Sequence, residues 1–263
     1  MNPADGLPVE LLSRIEDAGL NASAPPQQRW LDGWILRFSP GKAQRARCIN
    51  AVAEGVLPLA DKLARCEALY RAAGLPLLWR ITPFTRPSGL EALLAQRRMQ
   101  RFDDTWVMVC RSLPTVVAPD ELASWGLNLA AVDSQAYAHI VGEFRATKLP
   151  GREAHAERLR HSPVPYHALV LRDAQGQVLA GGQFAIDGDL VGLYDVFTVP
   201  AMRGRGLSRW LCAALLQQAH RLGARTGYLQ VDAGNVAARK VYHGLGFIDA
   251  YPYHYRALPP PAG

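Results

Sequence analysis

The sequence predicts an α/β (α+β) chain in two halves of similar element order, and three observations predict it. The apolar run Leu190 to Val199 reads as a strand; the turn Arg203-Gly204-Arg205-Gly206 follows, and Ser208 to Leu222 then repeats leucine and alanine at helical spacing. Upstream, Tyr166 to Arg172, Val178 to Ile186 and Leu190 to Val199 are separated by the turns Asp173-Ala174-Gln175-Gly176 and Asp187-Gly188-Asp189, the pattern of an antiparallel meander. The first half runs strands, helix, strand, helix, strand, a shortened echo of the second without a glycine-rich turn.

In chain order, Val9 to Ala18 is a short amphipathic helix followed by the turn Ala24-Pro25-Pro26-Gln27-Gln28. Trp30 to Phe38 reads as a strand or hairpin arm closed by Ser39-Pro40-Gly41, with Arg47 to Val52 as its partner; its two tryptophans read as core rather than as a ligand platform. Leu59 to Ala73 places Leu59, Leu63, Cys66, Leu69 and Tyr70 on one helical face, and Gly74 supplies the stop. Leu75 to Ile81 is a strand, Leu90 to Arg97 a helix and Trp106 to Cys110 a strand. Periodicity breaks over Ser112 to Ser124, so the expected domains are residues 1–118 and 119–263. In the second, a helix over Ser134 to Lys148, capped by Asp133, is separated by Pro150-Gly151 from another over Arg152 to His161. After the meander and the glycine turn come a strand over Gly227 to Asp232, a short helix after Asn235 and a closing strand over Tyr251 to Tyr255.

Composition narrows the functional classes. The 263 residues suit two domains of about 120 to 130 residues. With 29 Lys+Arg against 23 Asp+Glu the formal charge is +6, spread along the chain with no basic run interleaved with aromatics, so no nucleic-acid partner is expected. A positive surface does favour an anionic cofactor. Cys48, Cys66, Cys110 and Cys212 lack metal-ligand spacing and read as buried free thiols. The histidines give no HExxH, and the even spacing of His155, His161 and His167 suits no single helix face, so no metal is expected. Without a signal pattern or an apolar run of about 18 residues, no membrane association and a cytoplasmic setting are expected.

The glycine turn carries the chemistry. A strand, tight turn and helix collect unpaired N–H groups and the positive end of the helix dipole on one small volume. Gly204 and Gly206 permit positive φ, and Arg203 and Arg205 add fixed charge, so a pyrophosphate is the expected guest. No lysine follows as a P-loop requires, and Arg209 stands where the third glycine of a dinucleotide loop belongs. The stretch instead resembles the acetyl-CoA loop of the GNAT N-acetyltransferase superfamily, Q/R-x-x-G-x-G/A: Arg203 and Gly206 match, and Ser208 stands where Gly or Ala is usual. Asn235-Val236-Ala237-Ala238 through Tyr242 to Gly246-Phe247 is similar to the family pattern N-x-x-A-x-x-x-Y-x-x-x-G-F at every position.

The resemblance covers residues 127–256 and implies a mixed, mostly antiparallel sheet flanked by helices, a V-shaped cleft for pantetheine and acetyl-CoA as cosubstrate. At the level of element order it makes the first half a degenerate GNAT-like domain. It further implies that main-chain groups of Phe197, Thr198 and Val199 meet the thioester and pantetheine, Val199 foremost, and that Arg203, Gly204, Arg205, Gly206, Leu207 and Ser208 hold the pyrophosphate. Asn235 caps its helix and can touch the cofactor through the helix start, and Tyr242 protonates the departing sulfur. A lysine-like amine is free base in only about one molecule in a few thousand at neutral pH, so transfer needs a base. Asp195 is the first choice, with Glu143 or a water chain as competitors. Strand alternation puts Tyr194 and Asp195 on opposite faces, so only one of them is expected to face the acceptor. The acceptor is a small-molecule or peptide amine, and the chain is expected to be a monomer or homodimer. The competing readings are a non-catalytic acyl-CoA-binding regulatory module and an acyltransferase using a longer acyl donor.

Overall fold

The structure, a computed structural model, describes residues 6–41, 43–114 and 126–258; most of the expected seam and both boundary residues, 118 and 119, lie outside them. The first half supplies α1 (Val9–Ala22), β1 (Gln28–Leu31), β2 (Trp34–Arg37), β3 (Ile49–Ala51), α2 (Leu59–Ala72), β4 (Leu78–Ile81), α3 (Leu90–Gln96) and β5 (Gln100–Cys110). The second supplies β6 (Asn128–Val132), α4 (Ser134–Phe144), α5 (Leu149–Arg160), β7 (Tyr166–Arg172), β8 (Val178–Asp187) and β9 (Leu190–Thr198). It continues with α6 (Leu207–Arg221), β10 (Thr226–Asp232), α7 (Val236–His243) and β11 (Ile248–Ala257).

The eleven strands of the described residues form one sheet in the order β1-β2-β3-β4-β11-β5-β10-β9-β8-β7-β6. The pairs β3–β4 and β9–β10 are parallel, and the rest are antiparallel. Each parallel pair is joined through a helix, α2 or α6, because a parallel neighbour requires a crossover. The last strands are exchanged: β11 pairs with β4 (His254 opposite Ile81), and β5 pairs with β10 (Met108 opposite Leu229). Each half is thereby completed by the other, and the sheet runs unbroken across the junction.

Helix α6 buries Leu207, Leu211, Leu215 and Leu216 against Phe184, Leu193 and Leu229 on one face of the second half. On the other face α1, from the first half, packs Leu12, Ile15 and Ala18 with Tyr194, Tyr228 and Tyr251. An element of the first half therefore covers the strand that carries Asp195. The first half has its own core, in which Trp34 meets Trp79 edge to face at a centroid distance of 5.2 Å.

Several elements differ from expectation for local reasons. Trp30 to Phe38 is a hairpin turned at Asp32-Gly33, so Trp34 is core while Trp30, on the edge strand, is 64% exposed. Strand β5 begins six residues before Trp106, because Gln100 to Thr105 pairs across β11 and β10 despite its charge. Pro150 opens α5 rather than separating two helices, as a proline in the first helical turn removes only an N–H without an intrahelical acceptor.

Just ahead of α2, the Asp32 carboxylate accepts from the Val56 N–H (2.9 Å) and the Leu57 N–H (2.9 Å) and lies 3.2 Å from the buried Lys62 ammonium. The equivalent turn ahead of α6 has no such resident anion among the described residues.

Candidate active site

β9 and β10 pair only from Leu190 opposite Thr226 to Leu193 opposite Leu229. Beyond that point β9 stays with β8 and β10 with β5, which opens a fork in the sheet. The glycine turn lies just past the end of β9. Gly204 and Gly206 both have φ of +77°, and a Cβ on either would meet nothing within 4 Å. Backbone conformation requires glycine there, and the space around the turn is open. Gly206 is the N-cap of α6, no side chain caps the helix and its first turn has no acidic residue. A helix start of this kind favours an anion, and the residues fit a pyrophosphate.

Three details of this loop bear on ligand contact. The Val199 N–H donates to the Leu179 carbonyl at 2.8 Å, so it belongs to the sheet and is not an open amide. Strand alternation turns Thr198 the other way, where its carbonyl accepts from Arg203 Nε at 3.3 Å. Of the two residues, it is Thr198 whose main-chain groups point away from β8. The side chains of Leu207 and Phe197 are also unavailable: Leu207 is core, and Phe197 stacks on Phe144 at 4.4 Å.

Tyr242 is buried against Phe247 and α6, with a centroid distance of 6.1 Å to Phe247. Burial, with a smaller contribution from Cys212, pushes its phenol above the usual value, so the group keeps its proton at neutral pH. The Asn235 side-chain Oδ1 accepts from the Ala238 N–H at 3.1 Å, which fixes Asn235 as the N-cap of α7.

Asp195 departs from ideal strand geometry. Its φ is +51°, and the register between β8 and β9 shifts there, from Gln183 opposite Tyr194 to Gly181 opposite Phe197. Such a bulge re-aims side chains. Tyr194 and Asp195 therefore line the same cavity, about 350 Å³ in volume, contrary to the alternation expected of a regular strand. Its wall combines Ser23, Ser39 and Arg45 from the first half with Arg145, His155 and Arg158 from the second.

Asp195 Oδ1 accepts from Arg145 Nη1 (2.6 Å), and Oδ2 accepts from Gln183 Nε2 (2.7 Å) and lies 3.4 Å from His155 Nε2. Tyr137 Oη donates to the Asp195 carbonyl at 2.7 Å, which pins the bulge. Burial opposes ionisation of Asp195, but His155 and Arg145 outweigh it and hold the carboxyl well below the usual range. So acidic a carboxylate is ionised near neutrality and is a poor proton acceptor. Glu143 is spent on Arg152 (2.8 Å) and does not line the cavity. No sequence motif marks His155, Arg145 or Gln183 as site residues, and the bulge turns the Asp195 carboxylate to meet them. Among the described residues no cluster of His, Cys, Asp and Glu could hold a metal ion, and no helix is long and apolar enough to cross a membrane.

Residues 135–247 match the model of the acetyltransferase (GNAT) family, a span that takes in the fork, the glycine turn and α7. The chain is 26% identical over 233 residues to YobR, an uncharacterized N-acetyltransferase of Bacillus subtilis (strain 168), covering 87% of this chain and 91% of that one. A GCN5-related N-acetyltransferase from Kribbella flavida superposes with a TM-score of 0.68 at 19% identity, covering 95% of this chain and 96% of that one. A tandem GNAT protein from the clavulanic acid biosynthesis pathway superposes with a TM-score of 0.57 at 16% identity, covering 76% of this chain and 70% of that one. At these identities both superpositions speak to fold alone. Residues 135–247 are a GNAT acetyltransferase family domain, and the protein is an acyltransferase enzyme.

Proposed function

We propose that the protein is an acetyl-CoA-dependent N-acetyltransferase that passes the acetyl group directly from the thioester to an amine held in the cavity beside Asp195. The observation that carries this reading is the fork between β9 and β10, with an uncapped, glycine-started helix beyond the end of β9 and, farther back on the same strand, the ionised Asp195 beside His155 of α5. The turn from Arg203 to Ser208 receives the pyrophosphate through main-chain N–H groups. The Thr198 N–H, directed away from β8, polarises the thioester carbonyl.

His155 takes the proton from the amine, imidazole being the side chain suited to proton transfer near neutrality. Asp195 orients His155 and stabilises its charged form. As the nitrogen–carbon bond forms and the carbon–sulfur bond breaks, Tyr242 delivers its proton to the sulfur. Its buried phenol is protonated before the step, as an acid must be.

The first half is read as a degenerate GNAT-like domain covering residues 1–118, with 119–263 as the catalytic one. The parallel pair β3–β4 around α2 repeats β9–β10 around α6, which supports that division. Asp32 fills the turn before α2 with a carboxylate and Lys62 neutralises it, so that turn is already occupied where a second pyrophosphate would sit. All four cysteines are buried and unpaired, which fits a reducing cytoplasmic setting. The test is thiol release from acetyl-CoA in the presence of amines. Turnover that needs both His155 and Tyr242 supports the mechanism, whereas CoA binding without turnover of any amine favours a regulatory binding module.

A further inference from the structure

The cavity beside Asp195 is short of carboxylates. Arg45, Arg145 and Arg158 line it against Asp195, the only acidic lining residue among the described residues, and Asp195 is already held by Arg145. Arg45, from the first half, donates to the Gln230 amide oxygen and lies 5.9 Å from the Tyr194 ring centroid. Arg158, on α5, donates to the Ala22 carbonyl at 2.9 Å and lies 5.9 Å from the Tyr166 ring centroid. Behind the wall Arg37, 2% exposed, donates to Ser23 Oγ and to the Leu20 and Arg45 carbonyls, while its Nε has no partner.

None of Arg37, Arg45 and Arg158 has a carboxylate at ion-pair distance among the described residues. Burial pushes Arg37 down to about 10, which still leaves it charged at neutral pH. The C-terminus of α1 faces the same region and offsets part of this charge, but a helix end amounts to only about half a negative charge against three whole positive ones. Guanidinium groups with so little compensation in a partly buried site favour an anion, and they pair with carboxylates through charge-assisted hydrogen bonds.

Resting on the transferase reading above, we propose that the acceptor is a small amine that also carries a carboxylate. Its amino group is received by His155 and Asp195, and its carboxylate by Arg45 and Arg158. At about 350 Å³ the cavity has the volume of about a dozen water molecules, the scale of a single amino acid or a slightly larger amino carboxylate. The two halves then divide recognition, since Arg45 comes from the first and Arg158 from the second. This gives the first half a part in specificity although it lacks a phosphate turn of its own.

Binding of matched ligands to the full chain tests the proposal without requiring turnover. Calorimetry and thermal shift compare amino acids with their amides and with the corresponding decarboxylated amines at fixed ionic strength. The carboxylate-bearing member of each pair is expected to bind about tenfold or more tightly. Arg45→Leu and Arg158→Leu are each expected to remove most of that preference, weakening the carboxylates more than the amides, and Arg158→Lys to restore part of it. Amides that bind the wild-type protein as tightly as their carboxylates, or the absence of any carboxylate-dependent shift, would overturn the proposal even where neither leucine variant folds. Acetyl-CoA binding measured in parallel separates the two claims: its loss would sink the transferase reading alone, and its presence without carboxylate preference would sink this one alone.

Discussion

His155 Nε2 lies 3.4 Å from Asp195 Oδ2, although forty residues and two strands separate them in the chain. Helix α5 carries the imidazole, and the bulge in β9 turns the carboxylate towards it. If His155 is the base, His155→Ala lowers kcat about 100-fold or more, within the usual range for general-base catalysis, and leaves acetyl-CoA affinity unchanged. Steady-state kinetics with a calorimetric control checks this. A loss confined to acetyl-CoA binding would instead make His155 a structural residue.

The same pair sets a pH dependence of stability. The Asp195 carboxyl lies well below the ordinary value of about 3.9 in the folded state, so its contribution is complete above that value and is lost as pH falls through the folded one. Thermal denaturation is expected to be flat from neutrality to about pH 5 and to fall below it. Asp195→Asn makes the fall shallower; an unchanged slope would show that the ion pair with Arg145 and His155 is not the source.

Tyr242→Phe removes the proposed acid and keeps the packing on Phe247. We expect kcat to fall by about two orders of magnitude, with the acetyl-CoA dissociation constant and the melting temperature little changed. Unaltered turnover would reduce Tyr242 to a core aromatic.

Much of the second half was legible because its signals are local. Alternating apolar runs broken at Gly176 and Gly188 gave the meander, and Gly204, Gly206 and Asn235 marked the two helix starts. The acceptor side was not legible, because nothing in the residues around Asp195 announces the bulge: its positive φ is held by Tyr137 from α4, not by a glycine. The pairing of Val199 with Leu179 was hidden for a similar reason, since hydrogen-bond direction depends on a register that the bulge shifts. The exchange of β5 and β11 leaves no trace in local periodicity either, because it depends on which edge each last strand finds.

That exchange limits how the chain can be divided. Residues 126–258 alone lack β5, so the edge of β10 is bare, and Met108 and Cys110 are missing from the core beneath α6. The isolated segment is expected to show no cooperative melt by circular dichroism. A cooperative transition close to that of the whole chain would mean that β11 can take the place of β5.

The most direct test of the central claim is calorimetric titration of the full chain with acetyl-CoA, CoA and ATP, repeated on Gly206→Glu. The substitution sets a carboxylate at the start of α6 and strains a backbone at φ +77° by about 1 to 2 kcal/mol, which a folded domain tolerates. Wild-type protein is expected to bind both CoA species in preference to ATP, and the folded variant to lose that binding. Wild-type protein that is folded yet binds no CoA species, or a variant that binds as the wild type does, would contradict that claim.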